Sequence, residues 1–305
     1  MNPTLIQKLE QLNNNDLYIK RDDLLPFSFG GNKARKAAYF FEEIKKEKSD
    51  CVVTYGSNSS NHCRIIANRA ASMGLKCIII SPDKDEEKTF NLKMVDCFGA
   101  EVIRTSLSSV SQTINDVIED LRKQGHNPYF IMGGGHGNLG TRAYVDCFSE
   151  ITDYETKNGI KFDYIFHASG TGTTQAGLIC GKILHNAKNE IVGISIARNK
   201  ERGGKVILDS VNEYMTSLGS NDDYSMHVNF TDDYIAGGYG KYTAEIDNTI
   251  KEVLIKYGIP LNRTYTGKAF WGMKEYLKNS DIRGKNVLFI HTGGTPLFFD
   301  YLKEI

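Results

Sequence analysis

The chain has 305 residues, 40% of them apolar and 24% charged, with 37 Lys and Arg against 37 Asp and Glu. That length suits one large domain or two ordinary ones, and the balanced charge gives no field to draw the protein to nucleic acid or an anionic membrane. Residues 1–15, MNPTLIQKLEQLNNN, lack the apolar stretch of a signal peptide, and no apolar run approaches the roughly 20 residues of a membrane span.

In chain order, FSFGGNKARKAAYF (27–40) comes first. Gly30 and Gly31 stand directly before Asn32 and Lys33, and basic and apolar residues at helical spacing follow. Helix starts favour acidic side chains and anions. Lys33 is therefore a solvated surface charge, a phosphate ligand or a Schiff-base amine, and this stretch alone leaves the three open. CVVTY (51–55), KCIII (76–80), AEVIR (100–104) and PYFIM (128–132) then read as strands, with helices expected over 61–74, 88–99 and 108–125 between them. A second series follows, with strands at 162–168, 191–197 and 286–292 and helices over 174–187, 203–218, 242–257 and 267–278. This alternation predicts two α/β lobes, each a mostly parallel sheet flanked by helices, with a ligand cleft between them. Residues 216–243 form the least regular stretch, either a functional loop or a surface excursion.

Six cysteines, at 51, 63, 77, 97, 147 and 180, form no C-x-x-C pair, which suits core residues of a reduced, cytoplasmic protein. Seven scattered histidines without H-x-x-x-H spacing predict no metal site.

The most informative glycine cluster is HASGTGTTQAGLICGK (167–182), between an expected strand and an expected helix. Glycine amides, threonine hydroxyls and a helix N-terminus together make a phosphate cradle. Ala176 and Ile183 break a Walker A pattern, and Gln175 stands where a dinucleotide fingerprint needs its third glycine. A loop without lysine or metal ligands suits a phosphate monoester on a cofactor.

At this point five segments converge in order. LYIKRDDL (17–24) with FGGNKARK (29–36), GSNSSNHCRIIANRAASMGLKC (56–77), SGTGTTQAG (169–177), YTGKAFWGM (265–273) and HTGGTPLFF (291–299) resemble fold-type II pyridoxal-phosphate enzymes, most closely the D-cysteine desulfhydrase and 1-aminocyclopropane-1-carboxylate deaminase group. The resemblance implies pyridoxal 5'-phosphate bound covalently at Lys33 and cradled by Gly170, Thr171, Gly172, Thr173 and Thr174. A dry or positively charged setting, with Arg35 and Lys36 nearby, would depress the amine's pKa as that role requires. Ser60, Asn61 and His62 would bind the substrate carboxylate, Asn61 would also reach the cofactor's ring hydroxyl, and Ser60 would share proton handling with Lys33. Read without the resemblance, Ser60 or Asn61 is simply a helix N-cap. Tyr265 and Tyr239 would lie near the substrate, or Tyr265 is a core aromatic. His291 is read as packing at a strand end.

The resemblance also implies a larger cofactor-binding domain of 1–36 and 146–305, a smaller, mobile domain of 37–145 that closes over substrate, and a homodimer. The deaminase branch carries Glu where this chain has Thr266, and Thr292 stands where the desulfhydrase branch meets the pyridine nitrogen with a hydroxyl. A neutral hydroxyl there favours β-elimination from a small amino-acid substrate resembling D-cysteine, giving pyruvate and ammonia. β-Replacement, cyclopropane opening and a non-catalytic cofactor-binding protein are the alternatives. KTFNLKM (88–94) and GGGHGNLG (133–140) depart from the family pattern, and His136 and Asn138 are either new substrate contacts or parts of a loop variant.

Overall fold

The β-branched apolar runs become the central strands of two sheets in the computed structural model, which describes residues 2–83 and 89–303. Lys88, the first residue of one expected helix, and Met1, Glu304 and Ile305, at the ends of the expected domain ranges, lie outside the described residues. The larger sheet has the order β1 (Ile6–Lys8), β2 (Asp16–Lys20), β10 (Asn286–Ile290), β7 (Tyr164–Ser169), β8 (Glu190–Ser195) and β9 (Asn229–Thr231). Only β1 pairs antiparallel, against β2. The smaller sheet, all parallel, runs β5 (Glu101–Thr105), β4 (Lys76–Pro82), β3 (Cys51–Tyr55) and β6 (Pro128–Ile131). Parallel strands need helical crossovers that cover both faces. Val52, Val53, Ile78, Ile79 and Ile80 are accordingly buried whichever way they point.

Around the smaller sheet lie α1 (Asn32–Lys46), α2 (Asn61–Ser72), α3 (Phe90–Cys97) and α4 (Val110–Lys123). Phe40, Phe41 and Ile44 of α1 meet Ile65 and Ile66 of α2 in its core. Around the larger sheet lie α5 (Asn138–Asn158), α6 (Thr173–Leu184), α7 (Lys200–Ser217), α8 (Ala244–Tyr257), α9 (Thr266–Asn279) and α10 (Thr295–Leu302). The sequence reading places no helix at α5, which runs for 21 residues. It starts in a glycine-rich segment, and its Thr, Tyr, Val, Asp, Cys and Ser residues have middling helix propensity. Tertiary packing sustains it: Gly177 and Gly181 of α6 lie directly against Tyr144 and Phe148.

A buried ionic cluster ties β2, α1 and α5 together. Arg35 donates from Nε and Nη2 to Asp22 at 3.1 and 2.9 Å, and from Nη1 to Glu150 at 2.6 Å. Lys20 Nζ donates to Glu150 at 2.5 Å, and Tyr144 donates its phenol hydrogen to Asp22 at 2.8 Å. Although burial opposes its charge, Arg35 and Lys20 hold the Asp22 carboxyl well below the usual carboxylate range. A depressed carboxylate pKa stabilises the fold above the unfolded-state value, and that stability is lost only as pH falls through the lower folded-state value. Removing one partner of a buried pair strands the other charge. Asp22→Asn should therefore cost about 3–5 kcal/mol at neutral pH, read as a lower urea midpoint, and the penalty should shrink in strong acid.

Candidate active site

Between the two lobes, at the C-terminal ends of β3, β6, β7, β8 and β10, lies a cavity of about 310 Å³. Ligand sites of open α/β sheets form beyond the carboxyl ends of strands. Its position depends on two glycine pairs that cross. Gly31 has φ +92°, and a Cβ there would sit 2.6 Å from the Thr292 carbonyl oxygen. A Cβ on Gly293 would lie 2.6 Å from Gly31 Cα. The close approach lets Asn32 N–H donate to the Thr292 carbonyl at 3.0 Å. The start of α1 is thereby docked on the end of β10, and Lys33 and Thr292 face one cavity.

Lys33 Nζ donates to the Gly134 carbonyl at 2.9 Å, and burial lowers its pKa to about 8. The expected help from neighbouring charge is not what lowers it. Arg35 is neutralised by Asp22 and Glu150, and Lys36 is itself buried, with its pKa pushed well down by desolvation and by Lys33.

Of the expected phosphate loop, Gly170, Thr171, Gly172 and Thr174 line the cavity, at the N-terminus of α6. Thr174 Oγ1 accepts from Asn32 Nδ2 at 3.1 Å, and the Gly170 carbonyl accepts from Arg198 Nη1. Thr173 is buried behind the wall, its hydroxyl 2.7 Å from His136 Nδ1. Neither His136 nor Asn138 lines the cavity. Ser169 Oγ and Lys36 Nζ are buried without a hydrogen-bond partner among the described residues. Orphaned buried donors beside a glycine loop suit a phosphate ester, and the buried, partly neutral amine of Lys33 suits an aldehyde. These residues suit the expected pyridoxal 5'-phosphate.

Ser60 caps α2, its Oγ accepting from Cys63 N–H at 3.2 Å, and Ser60, Asn61 and His62 all line the cavity. Asn61 Oδ1 accepts from Asn91 Nδ2 at 3.0 Å, which leaves the Asn61 amide nitrogen free to donate. His62 Nε2 lies 2.8 Å from Thr54 Oγ1, whose hydrogen goes to the Ile131 carbonyl at 2.7 Å, and burial holds the imidazole well below its usual pKa. Tyr239 and Tyr265 join hydroxyl to hydroxyl at 2.7 Å over the cavity. Burial and Tyr239 raise the Tyr265 pKa well above its ordinary value, so the phenol stays protonated. Thr292 lines the cavity, whereas Thr266 is buried away from it and its Oγ1 accepts from Asn262 N and Nδ2, each at 3.0 Å. His291 is buried at the end of β10, with Nε2 2.9 Å from the Pro260 carbonyl oxygen. Among the described lining residues there is no carboxylate.

Two residues, Arg198 and Asn91, escape the sequence reading, and a third, Lys36, figures there only as nearby charge. Arg198 lines the cavity just past β8, a position that the rule for strand ends could have flagged. Lys36 lies one turn beyond Lys33 on α1. Asn91, wholly buried, donates to the Ser59 carbonyl at 2.8 Å and accepts from Arg64 Nε at 2.8 Å. Nothing in its local sequence signals that role.

A sequence profile of the family described as "Pyridoxal-phosphate dependent enzyme" matches residues 2–293. A D-cysteine desulfhydrase from Yersinia enterocolitica is 32% identical, with 100% of this chain and 95% of that protein covered. A Pyrococcus abyssi protein, provisionally named a 1-aminocyclopropane-1-carboxylate deaminase, is 34% identical over 95% of this chain and 88% of its own length. The crystal structure of an ACC deaminase homologue superposes with a TM-score of 0.89 at 32% identity, covering 100% of this chain and 93% of that one.

Gly31→Ala would force an L side chain into a backbone region that costs about 1–3 kcal/mol and push it into the Thr292–Gly293 backbone just past β10. It should abolish cofactor retention, seen as loss of visible absorbance after gel filtration. Asn91→Ala strands the Ser59 carbonyl and frees the Asn61 amide to flip, at about 1–3 kcal/mol. Titration of the apoprotein with pyridoxal phosphate should show about tenfold weaker affinity.

Proposed function

The chain belongs to the pyridoxal-phosphate-dependent enzymes, and from that membership we propose that it is a lyase that performs α,β-elimination on a small β-substituted amino acid resembling D-cysteine. The products are pyruvate, ammonia and the protonated leaving group, which for cysteine is hydrogen sulfide. One molecule of water is consumed and no oxidant is needed. The cofactor, when bound, holds the substrate nitrogen and draws electrons from the α-carbon.

The observation that carries the reading is a cavity with no carboxylate among its described lining residues, in which Thr292 offers only a hydroxyl. Lys33, with its pKa near 8, alternates between holding and releasing a proton, so it can take the α-hydrogen. Ser60 and the start of α2 receive the substrate carboxylate, and Ser60 shares in proton handling. Asn61 donates to the cofactor's ring hydroxyl through its free amide nitrogen. Gly170, Thr171, Gly172 and Thr174 hold the phosphate, with the Ser169 hydroxyl as an added donor and Thr173 buried behind them. Tyr265, held protonated and bonded to Tyr239, can donate to the leaving group.

In this reading the domain of 37–145 closes over substrate on the domain of 1–36 and 146–305. The enzyme works as a cytoplasmic homodimer. Six free cysteines support a reducing compartment, and sedimentation would read the dimer. No helix among the described residues is long and apolar enough to cross a membrane.

Cyclopropane opening is the second reading, supported by the names of two of the similar proteins. Purified enzyme should release pyruvate from D-cysteine and β-chloro-D-alanine faster than it forms 2-oxobutyrate from 1-aminocyclopropane-1-carboxylate, and the reverse order would install the deaminase. Borohydride should attach the cofactor to Lys33. Thr292→Glu should slow elimination by about tenfold or more, each factor of ten being about 1.4 kcal/mol of barrier.

A further inference from the structure

Lys268 is fully buried, yet no carboxylate among the described residues pairs with it. It sits on α9 one turn past Tyr265, and its Nζ donates to the Gly238 carbonyl at 2.6 Å. That oxygen also accepts from Lys241 N–H, at 3.2 Å. The two bonds close a β-turn over residues 238–241, with Tyr239 at its first corner. Gly240, at the second corner, has φ +72°, as a type II turn demands. Tyr239 is 44% exposed, and its hydroxyl contacts are Tyr265 OH at 2.7 Å and Ser59 Oγ at 3.5 Å. Gly238 and Gly240 face open space. The turn therefore has little packing of its own.

We propose that Lys268 is a positioning residue, a tether that holds the 238–241 turn so that Tyr239 meets Tyr265 over the substrate side of the cavity. Placing both tyrosines at the substrate rests on the function proposed above. The logic is one of geometry. A single helix carries Tyr265 at its start and the tether one turn on, so the two tyrosine hydroxyls are set from the same rigid element. A buried ammonium bonded to a carbonyl makes a charge-assisted bond, roughly twice as strong as a neutral one. Burial alone lowers the Lys268 pKa to about 8. The cost of burying that group is offset by the order it imposes on an otherwise loosely packed turn.

The test uses holoenzyme carrying Lys268→Met, Lys268→Arg, Gly240→Ala, Tyr239→Phe and the Lys268→Met/Tyr239→Phe pair. The first readout needs no turnover. Trypsin cleavage after Lys241, located by mass spectrometry, should be about tenfold faster in Lys268→Met, the effect of losing one charge-assisted bond that restrains local opening. Lys268→Arg should restore protection. Gly240→Ala, which strains the turn without disturbing the buried lysine, should open it as well, and it serves if Lys268→Met fails to fold. The second readout is kcat/KM for pyruvate release. Lys268→Met and Tyr239→Phe should each lower it, and the pair should be no worse than Tyr239→Phe alone. Cleavage at the wild-type rate, or losses that multiply in the pair, overturns the tether. Absence of elimination in the wild type overturns the functional reading instead, and cleavage then decides the tether by itself.

Discussion

Everything at the cavity depends on a contact between two stretches of bare backbone. Gly31 and Gly293 approach so closely that neither position has room for a Cβ. Thr292 adjoins Gly293 and Lys33 follows Gly31 by two residues, so the contact sets the separation of the two side chains more rigidly than side-chain packing could. The ionic cluster of Asp22, Arg35, Lys20 and Glu150 anchors the same helix from its other side. α1 is thus held at its first residue by backbone and one turn later by charge, while its apolar face belongs to the core of the smaller lobe. It is the element through which the two lobes share one geometry.

The electrostatics follow from that placement. Positive charge is abundant around Lys33 in the sequence, but the fold disposes of it unevenly. Arg35 is matched by two carboxylates, while buried Lys36 Nζ has no hydrogen-bond partner among the described residues. The result is a cavity with amines, amides and hydroxyls but no acid among its described lining residues. Such a wall favours anions, and the groups that it would receive, a phosphate and an amino-acid carboxylate, are both anionic.

Strands were the most legible part of the sequence. The strand read at 51–55 forms as Cys51–Tyr55, because a doubly covered parallel strand is a nearly continuous apolar run, broken here only by Thr54, whose hydroxyl is satisfied by the Ile131 carbonyl. α5 was illegible because its stability comes from α6, far along the chain. β1 and β9, three residues each, are too short to show periodicity. The glycine loops and Lys33 could be read because their chemistry is local: a turn, a helix start and a residue type. Asn91 could not, since its importance lies in a partner thirty residues earlier, Asn61. Arg35 was read for its charge alone, because its partners Asp22 and Glu150 come from other elements, Glu150 from more than a hundred residues along the chain. Local chemistry survives in a sequence, whereas long-range pairing does not.

Cys63 gives the site a further property. Its thiol packs against Gly56, a residue of the cavity wall, and burial pushes its pKa up to about 11. Thiol–disulfide exchange proceeds through the thiolate, which at neutral pH is nearly absent from such a group. Cys51, Cys77, Cys147 and Cys180 are likewise buried, each pushed up to about 12. No cysteine is among the described lining residues, and the Cys63 thiol behind Gly56 stays protonated, so a disulfide that enters the cavity meets no thiolate there to exchange with it.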